Sequence, residues 1–328
     1  MYRISSGRAR QGAAGFGKVL ALPLLALLAA CSAGPDMSKI EAERAHAVHR
    51  YDLGQSLAAN AQVVVAGLQS GAVLVSADLG STWKRHELGR TSLVDIAVCH
   101  DGGFIAIDHY RKLWFADAGG EKWTSVAIEQ PETPLSVACD PQGGWWIGGT
   151  HARLVVSRDQ GQSWMAHELG GDLQITAVQF IDATHAVALG EFGFIAFSED
   201  GGQNWRRGEA LPDEFYPYAA LFADRDQGWV AGIAGQILHT KDGGKHWEKQ
   251  ENATQASLYR LFMHRGVPHG VGGSGVIARL DGGVWRNVRY PDPLPVTLGA
   301  GASLHGQNAI VVGGPGGLLR TVGFADNT

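Results

Sequence analysis

The stretch GWVAGIAGQILHTKDGGKHW, residues 228–247, recurs along this chain. Three close copies align with it: VALGEFGFIAFSEDGGQNW (187–205), WIGGTHARLVVSRDQGQSW (146–164) and VVAGLQSGAVLVSADLGSTW (64–83). Two weaker copies end in FADAGGEKW (115–123) and ARLDGGVW (278–285), and residues 310–321 repeat only the front of the unit. Self-similarity at a fixed period indicates one repeat-built domain rather than two unrelated ones.

The period is set by tryptophans that close the copies at intervals of 40, 41, 41, 42 and 38 residues: Trp83, Trp123, Trp164, Trp205, Trp247 and Trp285. Each unit contains two short alternating runs before its closing turn and one run after it, and a further apolar run precedes each unit. Four strands per unit make a propeller blade. We therefore predict an all-β, seven-bladed β-propeller, with residues 48–57 supplying the outer strand that is missing after Thr321 and so closing the ring.

The closing turn follows the pattern S-x-D-x-G-x-x-W, known as an Asp box. The aspartate can accept backbone N–H groups within its own turn, the glycine supplies a positive φ, and the tryptophan buries a large ring. We therefore interpret these acids as structural rather than catalytic. The Asp-box residues in the four best copies are Asp78 and Trp83, Asp159 and Trp164, Asp200 and Trp205, and Asp242 and Trp247.

The N-terminal 30 residues differ from the rest. They carry four basic residues and no acid, followed by an apolar run that is too short to span a bilayer comfortably. The run ends in LAAC, which resembles a bacterial lipobox, and this resemblance implies that Cys31 becomes the lipid-bearing first residue. We predict a lipoprotein signal peptide over residues 1–30, a lipidated tether over 31–47 and the propeller over 48–328. Ser32 after the cysteine favours the outer membrane, with the protein facing the periplasm.

Charge and cysteine content exclude several classes of function. Removing the four basic residues of the leader leaves 23 basic against 32 acidic residues, a net charge of −9, which disfavours nucleic acid as a partner. No metal-ligand spacing is present, and no cofactor or metal is predicted. Cys99 and Cys139 occupy matching positions 40 residues apart; they form either a disulfide or, as we favour, two buried thiols in neighbouring blades.

The phrase G-x-x-G-x-I-x-x-T-x-D-G-G-x-x-W, nearly complete in residues 232–247, resembles the repeat of the photosystem II stability/assembly factor family. The resemblance extends over residues 63–321. It implies a seven-bladed, non-catalytic propeller on the lumenal or periplasmic side of a membrane. It also implies a lipid anchor in some members and a role in assembling membrane protein complexes.

Asp boxes also occur in sialidases and other glycosidases, so enzymes form the alternative. A sialidase-like site needs three converging arginines, and the spacing of Arg90, Arg111, Arg153 and Arg260 suggests no such triad. A glycosidase that uses two carboxylates, or a glycan-binding propeller, is the alternative reading. Its candidate carboxylates lie in connections that could share one face: Asp108, Glu191, Asp213, Glu214 and Asp292.

Propeller connections alternate between two faces, so the face opposite the Asp boxes is the place to look for function. Its loops collect aromatic and arginine side chains, which are the types that interface hot spots use. The residues predicted to form a partner surface are Tyr110, Arg111, His151, Arg153, Phe192, Tyr216 and Tyr218. We predict a non-catalytic, lipid-anchored scaffold that binds protein partners and assists assembly or stability of a membrane-associated complex.

Overall fold

The computed structural model describes residues 36–212 and 215–324. Cys31, Asp213 and Glu214 lie outside these residues. A short helix, α1 (Ser38–Arg44), has no buried side chain. Residues Ala47–Thr328 form a separate compact unit. Within the described ranges, no helix combines the length and the apolar character that a bilayer crossing requires.

The described residues form seven sheets, which follow one another along the chain as blades 1 to 7. The strands of blades 1 to 3 are β1 (Gly54–Ala59), β2 (Val64–Leu68), β3 (Ala72–Ser76), β4 (Lys84–Glu87); β5 (Leu93–Val98), β6 (Phe104–Asp108), β7 (Lys112–Ala116), β8 (Thr124–Ala127); β9 (Pro134–Cys139), β10 (Trp145–Gly149), β11 (Arg153–Ser157) and β12 (Met165–Glu168). Those of blades 4 and 5 are β13 (Ile175–Phe180), β14 (Ala186–Gly190), β15 (Ile195–Ser198), β16 (Arg206–Arg207); β17 (Pro217–Phe222), β18 (Gly228–Gly232), β19 (Ile237–Thr240) and β20 (Glu248–Lys249).

Blades 6 and 7 depart from the four-stranded pattern. Their strands are β21 (Glu251–Asn252), β22 (Leu258–His264), β23 (Val267–Gly272), β24 (Ile277–Asp281), β25 (Val284–Asn287); β26 (Ala300–Ser303), β27 (Ala309–Gly313) and β28 (Leu319–Gly323). Blade 6 has five strands because β21 pairs in parallel with β25. Blade 7 has three strands among the described residues.

The strands form where the sequence repeats its apolar runs. The second strand of each blade is almost entirely buried, as in Val64–Leu68 and Trp145–Gly149, because both faces of each central strand pack against neighbouring blades. The first strands of successive blades contact one another around a ring that ends with β26 against β1. The prediction of an all-β, seven-bladed propeller is confirmed.

The Asp-box turns of blades 1, 3, 4 and 5 each pack on the adjacent blade, which is the preceding blade in the ring. In blade 4 the backbone N–H of Gly202 donates to Ser198 Oγ over 2.8 Å, and Asp200 accepts the N–H of Asn204. Gly202 has a φ of 87°, and a Cβ placed there would lie 2.4 Å from the ring of Trp146 in blade 3. Only glycine fits both the backbone and the space, so the turn packs directly on the preceding blade.

Ring closure differs from the prediction. β1 is the first strand of blade 1 and pairs with β2, so residues 48–57 do not supply an outer strand to blade 7. The Asp-box turn of blade 1 instead meets blade 7, where Thr321 Oγ1 donates to the carbonyl of Leu79. An apolar cluster that includes Leu57, Leu74 and Val311 fills the seam. Side-chain packing and this turn therefore close the ring without a shared sheet.

The segment before β1 is also fixed at this seam. The Asp52 carbonyl accepts the N–H of Gly317, and the Gly54 N–H donates to the carbonyl of Gly314. The Asp52 carboxylate is buried and accepts Arg85 Nη1 over 2.8 Å. The chain therefore enters blade 1 against the β27–β28 turn of blade 7.

The two cysteines of the propeller differ from the favoured prediction as well. Cys99 and Cys139 form a disulfide between blades 2 and 3, with their Cα atoms 5.0 Å apart. This separation lies within the range that a disulfide spans. Matching positions of adjacent blades come this close because the first strands of the blades converge on the ring axis.

Candidate protein-binding face

The loops of the propeller fall on two opposite faces. Antiparallel strands alternate in direction, so the Asp-box turns share one face with the loops between the first and second strands of each blade. We call this the Asp-box face. The turns between second and third strands, and the connections between blades, lie on the other face, which we call the hairpin face.

Carboxylates on the Asp-box face are satisfied within the protein. Asp78 accepts the N–H and hydroxyl of Thr82 and the hydroxyl of Ser76, and these bonds lower its pKa to about 2. The equivalent bonds from Ser163 lower the pKa of Asp159 to about 2. Bonds from Asn204 lower the pKa of Asp200, and bonds from His246 lower that of Asp242. Acids held ionised by their own turns are poor proton donors at neutral pH.

A further carboxylate on this face, that of Asp140, is buried completely. Asp140 has no exposed surface and accepts four donors: the N–H groups of Gln142 and Gly144, the indole of Trp146 and a guanidinium nitrogen of Arg158. Sequence reasoning missed this residue because it lies outside the Asp-box pattern. Its structural role depends on contacts that only the fold creates.

Two of the candidate glycosidase carboxylates on the hairpin face are similarly engaged. Asp108 is fully buried and accepts the N–H groups of Tyr110 and Lys112, the Trp114 indole and the Thr91 hydroxyl. Glu191 accepts the N–H of Gln174 and the hydroxyl of Tyr216. Neither arrangement resembles an acid poised beside a scissile bond, because each oxygen already has a protein donor.

The tips of the hairpin turns carry four of the predicted partner-surface residues. Tyr110 is 63% exposed and Phe192 is 65% exposed. Arg111, His151 and Phe192 all have φ values near 60°. A left-handed backbone at a bulky residue is uncommon, and at Phe192 it projects an apolar ring into solvent.

The remaining predicted residues fall into two different environments. Arg153 is held on the sheet, where its guanidinium donates to Gln130 and Glu168, so it is less available to a partner. Tyr216 and Tyr218 have ring centroids 5.8 Å apart. Burial raises the pKa of Tyr216, whose hydroxyl therefore stays protonated and donates to Glu191.

The structure adds Tyr259 to this group, with its ring centroid 5.2 Å from that of Tyr218. Tyr218 and Tyr259 each fall at the register shift that begins the first strand of its blade. Such β-bulges re-aim a side chain. Aligning the repeats at this position could have identified Tyr259 from the sequence.

These tyrosines lie beside a cavity of about 470 Å³ in the ring, and Tyr218 lines it. Arg260 of blade 6 reaches Asp95 of blade 2 across this space, with 2.7 Å between Nη2 and Oδ1. The second oxygen of Asp95 accepts the N–H of Val137 in blade 3. The pair ties three blades together. Among the described residues, no group of three or more His, Cys, Asp or Glu side chains is arranged to hold a metal ion.

Comparison with known sequences gives the same repeat family that the resemblance indicated. A family described as "Photosynthesis system II assembly factor YCF48" matches residues 166–257. The chain is 31% identical over 122 residues to "Photosystem II assembly lipoprotein Ycf48" of Synechococcus sp. (strain RCC307). The matched residues cover 35% of this chain and 37% of the relative. The protein of the same name from strain CC9902 is 32% identical over 119 residues, or 34% and 36% of the two chains.

The chain thus spans about a third of the length of these curated relatives. The predicted resemblance to photosystem II assembly factor-like propellers is confirmed over this part.

Solved structures share the fold at low sequence identity. "YCF48 from Cyanidioschyzon merolae" has a TM-score of 0.67 at 16% identity, covering 84% of this chain and 96% of that one. "YCF48 bound to D1 peptide" also scores 0.67, at 14% identity, covering 85% and 95%. A catalytically inactive virginiamycin B lyase from Staphylococcus aureus, with quinupristin, scores 0.71 at 12% identity, covering 84% and 96%. An assembly factor and an enzyme both use this fold, so the fold alone does not assign a function.

Proposed function

We propose that the chain is a non-catalytic, lipid-anchored propeller of the cell envelope that binds protein through its hairpin face. In this role it assists the assembly or stability of a membrane-associated complex. The observation that carries the proposal is the exposure of Tyr110 and Phe192 at turn tips on the face where Asp108 and Glu191 are already hydrogen-bonded. Aromatic side chains that project from rigid turns are suited to interface anchors.

The comparisons support this function over an enzyme. The curated relatives are named as assembly lipoproteins, and a YCF48 structure is described as bound to a D1 peptide. The chain is acidic, with a net charge of −5, so a nucleic acid partner is disfavoured. A protein segment from a membrane complex is the partner class that fits both the relatives and the exposed aromatic residues.

The partner surface can be tested with two matched double variants. Tyr110→Ser with Phe192→Ser removes two exposed side chains from the hairpin face. Leu79→Ser with Met165→Ser removes two others, 42% and 53% exposed, from elsewhere on the propeller. Each affinity-tagged full chain would be used to capture partners from detergent-solubilised membranes of its host, followed by mass spectrometry.

We expect the wild-type chain and the Leu79 and Met165 variant to recover the same membrane complex. The Tyr110 and Phe192 variant should lose it by about tenfold or more, as hot-spot truncation predicts. Equal recovery by both variants would assign binding to another surface. Turnover of quinupristin or of a glycan panel by the purified chain would overturn the non-catalytic proposal.

The anchor is tested separately. We propose that Cys31 carries lipid and that the protein faces the periplasm, with the outer membrane as its site. Cys31→Ser should move the protein from the membrane fraction to the soluble periplasm, because one transmembrane helix or several acyl chains are needed for stable anchoring. Unchanged membrane association would refute lipidation. Sucrose-gradient separation of the two membranes would decide the location of the wild-type chain.

A further inference from the structure

The chain enters the propeller on the hairpin face, between blades 7 and 1. The Asp52 carbonyl accepts the N–H of Gly317, which lies in the β27–β28 turn. A Cβ placed on Gly317 would lie 2.4 Å from the carbonyl oxygen of His49, so the entering segment, residues 47–53, packs closely on this turn. The tether that we propose to carry lipid at Cys31 therefore joins the propeller on the hairpin face.

Charge is divided unevenly over this face. On blades 6, 7, 1 and 2 we call its turns and connections the basic half, which consists of residues 47–53, 69–71, 88–92, 109–111, 273–276, 288–299 and 314–318. The basic half contains four arginines and two aspartates: Arg50, Arg90, Arg111, Arg289, Asp52 and Asp292. Asp52 is buried and already pairs with Arg85, whereas all four arginines are exposed.

The rest of the face has the opposite charge. We call it the acidic half, and its described residues are 128–133, 150–152, 169–174, 191–194, 208–212, 215–216, 233–236 and 250–257. These residues include six acids and neither lysine nor arginine; the acids are Glu129, Glu132, Asp172, Glu191, Glu209 and Glu251. The hairpin face is therefore polarised, and its basic half is the half that receives the tether.

Contacts within the fold place Arg90 and Arg111 at the outer surface of this half. A Cβ on Gly71, in the β2–β3 turn, would meet the carbonyl oxygens of Gly89 and Thr91, so Arg90 lies beside the tip of blade 1. Arg111 occupies the β6–β7 turn, where its φ is 58°. Both side chains are presented next to the point where the chain enters blade 1.

Arg289 belongs to the same surface through the connection that follows blade 6. The hydroxyl of Tyr290 donates to the carbonyl of Gly275, in the β23–β24 turn, over 2.6 Å. A Cβ on Gly275 would lie 2.0 Å from the carbonyl oxygen of Leu294. Residues 289–294 are therefore packed against the tip of blade 6 on the hairpin face.

The basic half also exposes large apolar side chains beside its arginines. Tyr51, in the entering segment, is 63% exposed, and Leu294 is 41% exposed. Tyrosine is enriched at the level of lipid headgroups, and apolar side chains among basic ones are typical of surfaces that lie in a membrane interface. The composition of this half therefore suits a bilayer surface that carries negative charge.

We infer that the basic half of the hairpin face rests on anionic lipid headgroups, on the premise of the proposed function that the chain is held at a membrane. Each arginine near such a surface strengthens attachment by about fivefold. The acidic half is repelled by the same headgroups, so the propeller tilts and leaves Phe192 accessible to a protein partner. Tyr110 stands where the halves meet, since the Arg111 carbonyl accepts the N–H of Ile128.

The first test measures this surface without the lipid anchor. The purified Cys31→Ser chain is floated with vesicles of phosphatidylcholine alone or of phosphatidylcholine mixed with anionic phosphatidylglycerol. We expect the anionic vesicles to bind at least about tenfold more tightly, and the preference to disappear at about 1 M salt, where the Debye length is about 3 Å. Equal binding to both kinds of vesicle, or no binding to either, would overturn the inference.

Two charge-matched variants of the Cys31→Ser chain locate the surface. Arg90→Glu with Arg111→Glu reverses two charges of the basic half, and Lys122→Glu with Lys245→Glu reverses two exposed charges of the Asp-box face. Net charge and residues 1–46 are the same in both. We expect the arginine variant to bind anionic vesicles at least about twentyfold more weakly and the lysine variant less than about twofold more weakly. An equal loss in both would contradict the inference.

The second test uses the wild-type chain in nanodiscs of the same two lipid compositions. Hydroxyl-radical labelling reports the exposure of individual side chains. Tyr51 and Leu294 should lose most of their labelling in anionic nanodiscs, whereas Leu79 and Met165 on the Asp-box face should keep theirs. Labelling of Tyr51 and Leu294 that ignores lipid charge would overturn the inference. A wild-type chain that does not stay on nanodiscs would refute the anchor alone, because the vesicle test decides the surface without it.

An acidic protein is the competing occupant of the basic half. Partner capture from host membranes is therefore repeated with Arg90→Glu and Arg111→Glu in the otherwise wild-type chain. We expect this variant to recover the same complex as the wild-type chain. Loss of the complex, in a protein that shows no preference for anionic vesicles, would assign the basic half to an acidic protein instead.

Discussion

The two faces of this propeller are made from turns of the same repeat, yet they use their side chains in opposite ways. On the Asp-box face, polar side chains bond to their own turns, as Ser198 and Asp200 do in blade 4. On the hairpin face, the turns of blades 4, 5 and 6 are closed by backbone bonds, such as Gly190 N–H to the carbonyl of Phe194, although the Asp108 carboxylate closes that of blade 2. Their tip residues therefore project into solvent, as Phe192 does.

This difference shows where the repeat leaves freedom for function. Phe192, Ala234 and Ser274 occupy the same position in blades 4, 5 and 6, with φ of 55° to 56° in each. The backbone sets the turn, so the side chain at the tip can vary. An Asp box is set by its side chains and tolerates little change. Recognition is therefore expected on the hairpin face, and substitutions on the Asp-box face should act through stability.

The largest effect is expected from Asp140→Ala on the Asp-box face. The change leaves the Trp146 indole, the buried Gly144 N–H and the Gln142 N–H without an acceptor, and it removes the carboxylate that pairs with Arg158. Each buried donor left without an acceptor costs about 1–3 kcal/mol, so the Gly144 N–H and the Trp146 indole together predict a loss of about 2–6 kcal/mol. Urea unfolding followed by tryptophan fluorescence would measure the loss.

Asp172→Ala provides the control from the hairpin face. Asp172 is exposed and pairs with the exposed His151, and such pairs contribute about 0–1 kcal/mol. If the two alanine variants unfold at the same urea concentration, the contrast between the faces is wrong.

The next effect concerns the disulfide, which joins the ends of the first strands at the Asp-box face. Cys99→Ala with Cys139→Ala opens a loop of about 40 residues, and the chain-entropy account gives a cost of about 2–4 kcal/mol. Guanidinium unfolding with and without a reductant is the measurement. Reduction should destabilise the wild-type chain and leave the double variant unchanged. A free thiol at Cys99 or Cys139 in the oxidised wild-type chain would contradict the pairing.

A smaller effect is expected from pH through the histidines between blades 6 and 7. Burial lowers the pKa of His269 to about 4 and also lowers that of His264. Below pH 6.5 the unfolded chain binds a proton that folded His269 does not. The free energy of unfolding should therefore fall as pH decreases from 6.5 to 4, by about 2 kcal/mol at pH 5 for His269.

Thermal unfolding at pH 7 and pH 5 would measure this effect, with His269→Gln as the test variant. The difference in melting temperature between pH 7 and pH 5 should be smaller in the variant than in the wild-type chain. The Asp boxes do not interfere, because their lowered pKa values affect stability only as pH falls below about 4. An equal pH response in the variant would assign the sensitivity to other groups.

Much of the fold follows from the sequence because the repeat is local. The predicted apolar run before each unit is the first strand of its blade, as β5 (residues 93–98) and β13 (residues 175–180) show. Each blade is specified by its own alternation and its own turn, so these features need no knowledge of distant contacts. The prediction of how the ring closes was wrong, because closure depends on how blade 7 packs against blade 1. The residues at that seam, Thr321 and Leu79, lie 242 positions apart.

The candidate site was predictable in type but not in detail. The alternation of loops placed Tyr110 and Phe192 on the expected face, where both are exposed. The hydrogen bonds from Arg153 to Gln130 and Glu168 could not be predicted from the repeat pattern. They form only because the fold brings the loop that holds Gln130 and the strand that holds Glu168 next to Arg153. The ion pair between Arg260 and Asp95 could not be predicted either, because it joins two blades across the ring.

The smallest expected effect has the opposite sign and separates the two faces most clearly. Phe192→Asn replaces an exposed ring at φ 56° with a residue that tolerates this conformation better. We expect the free energy of unfolding to rise by about 0.5–1 kcal/mol, since little packing is lost and backbone strain falls. Partner capture should fall in the same variant.

Gain of stability with loss of binding would show that the strained tip is retained for recognition. Ala234→Asn, at the same position of blade 5, is the matched control and should leave capture unchanged. A destabilised Phe192→Asn chain that still captures its partner would mean that the ring serves folding, and the functional contrast between the two faces would not hold.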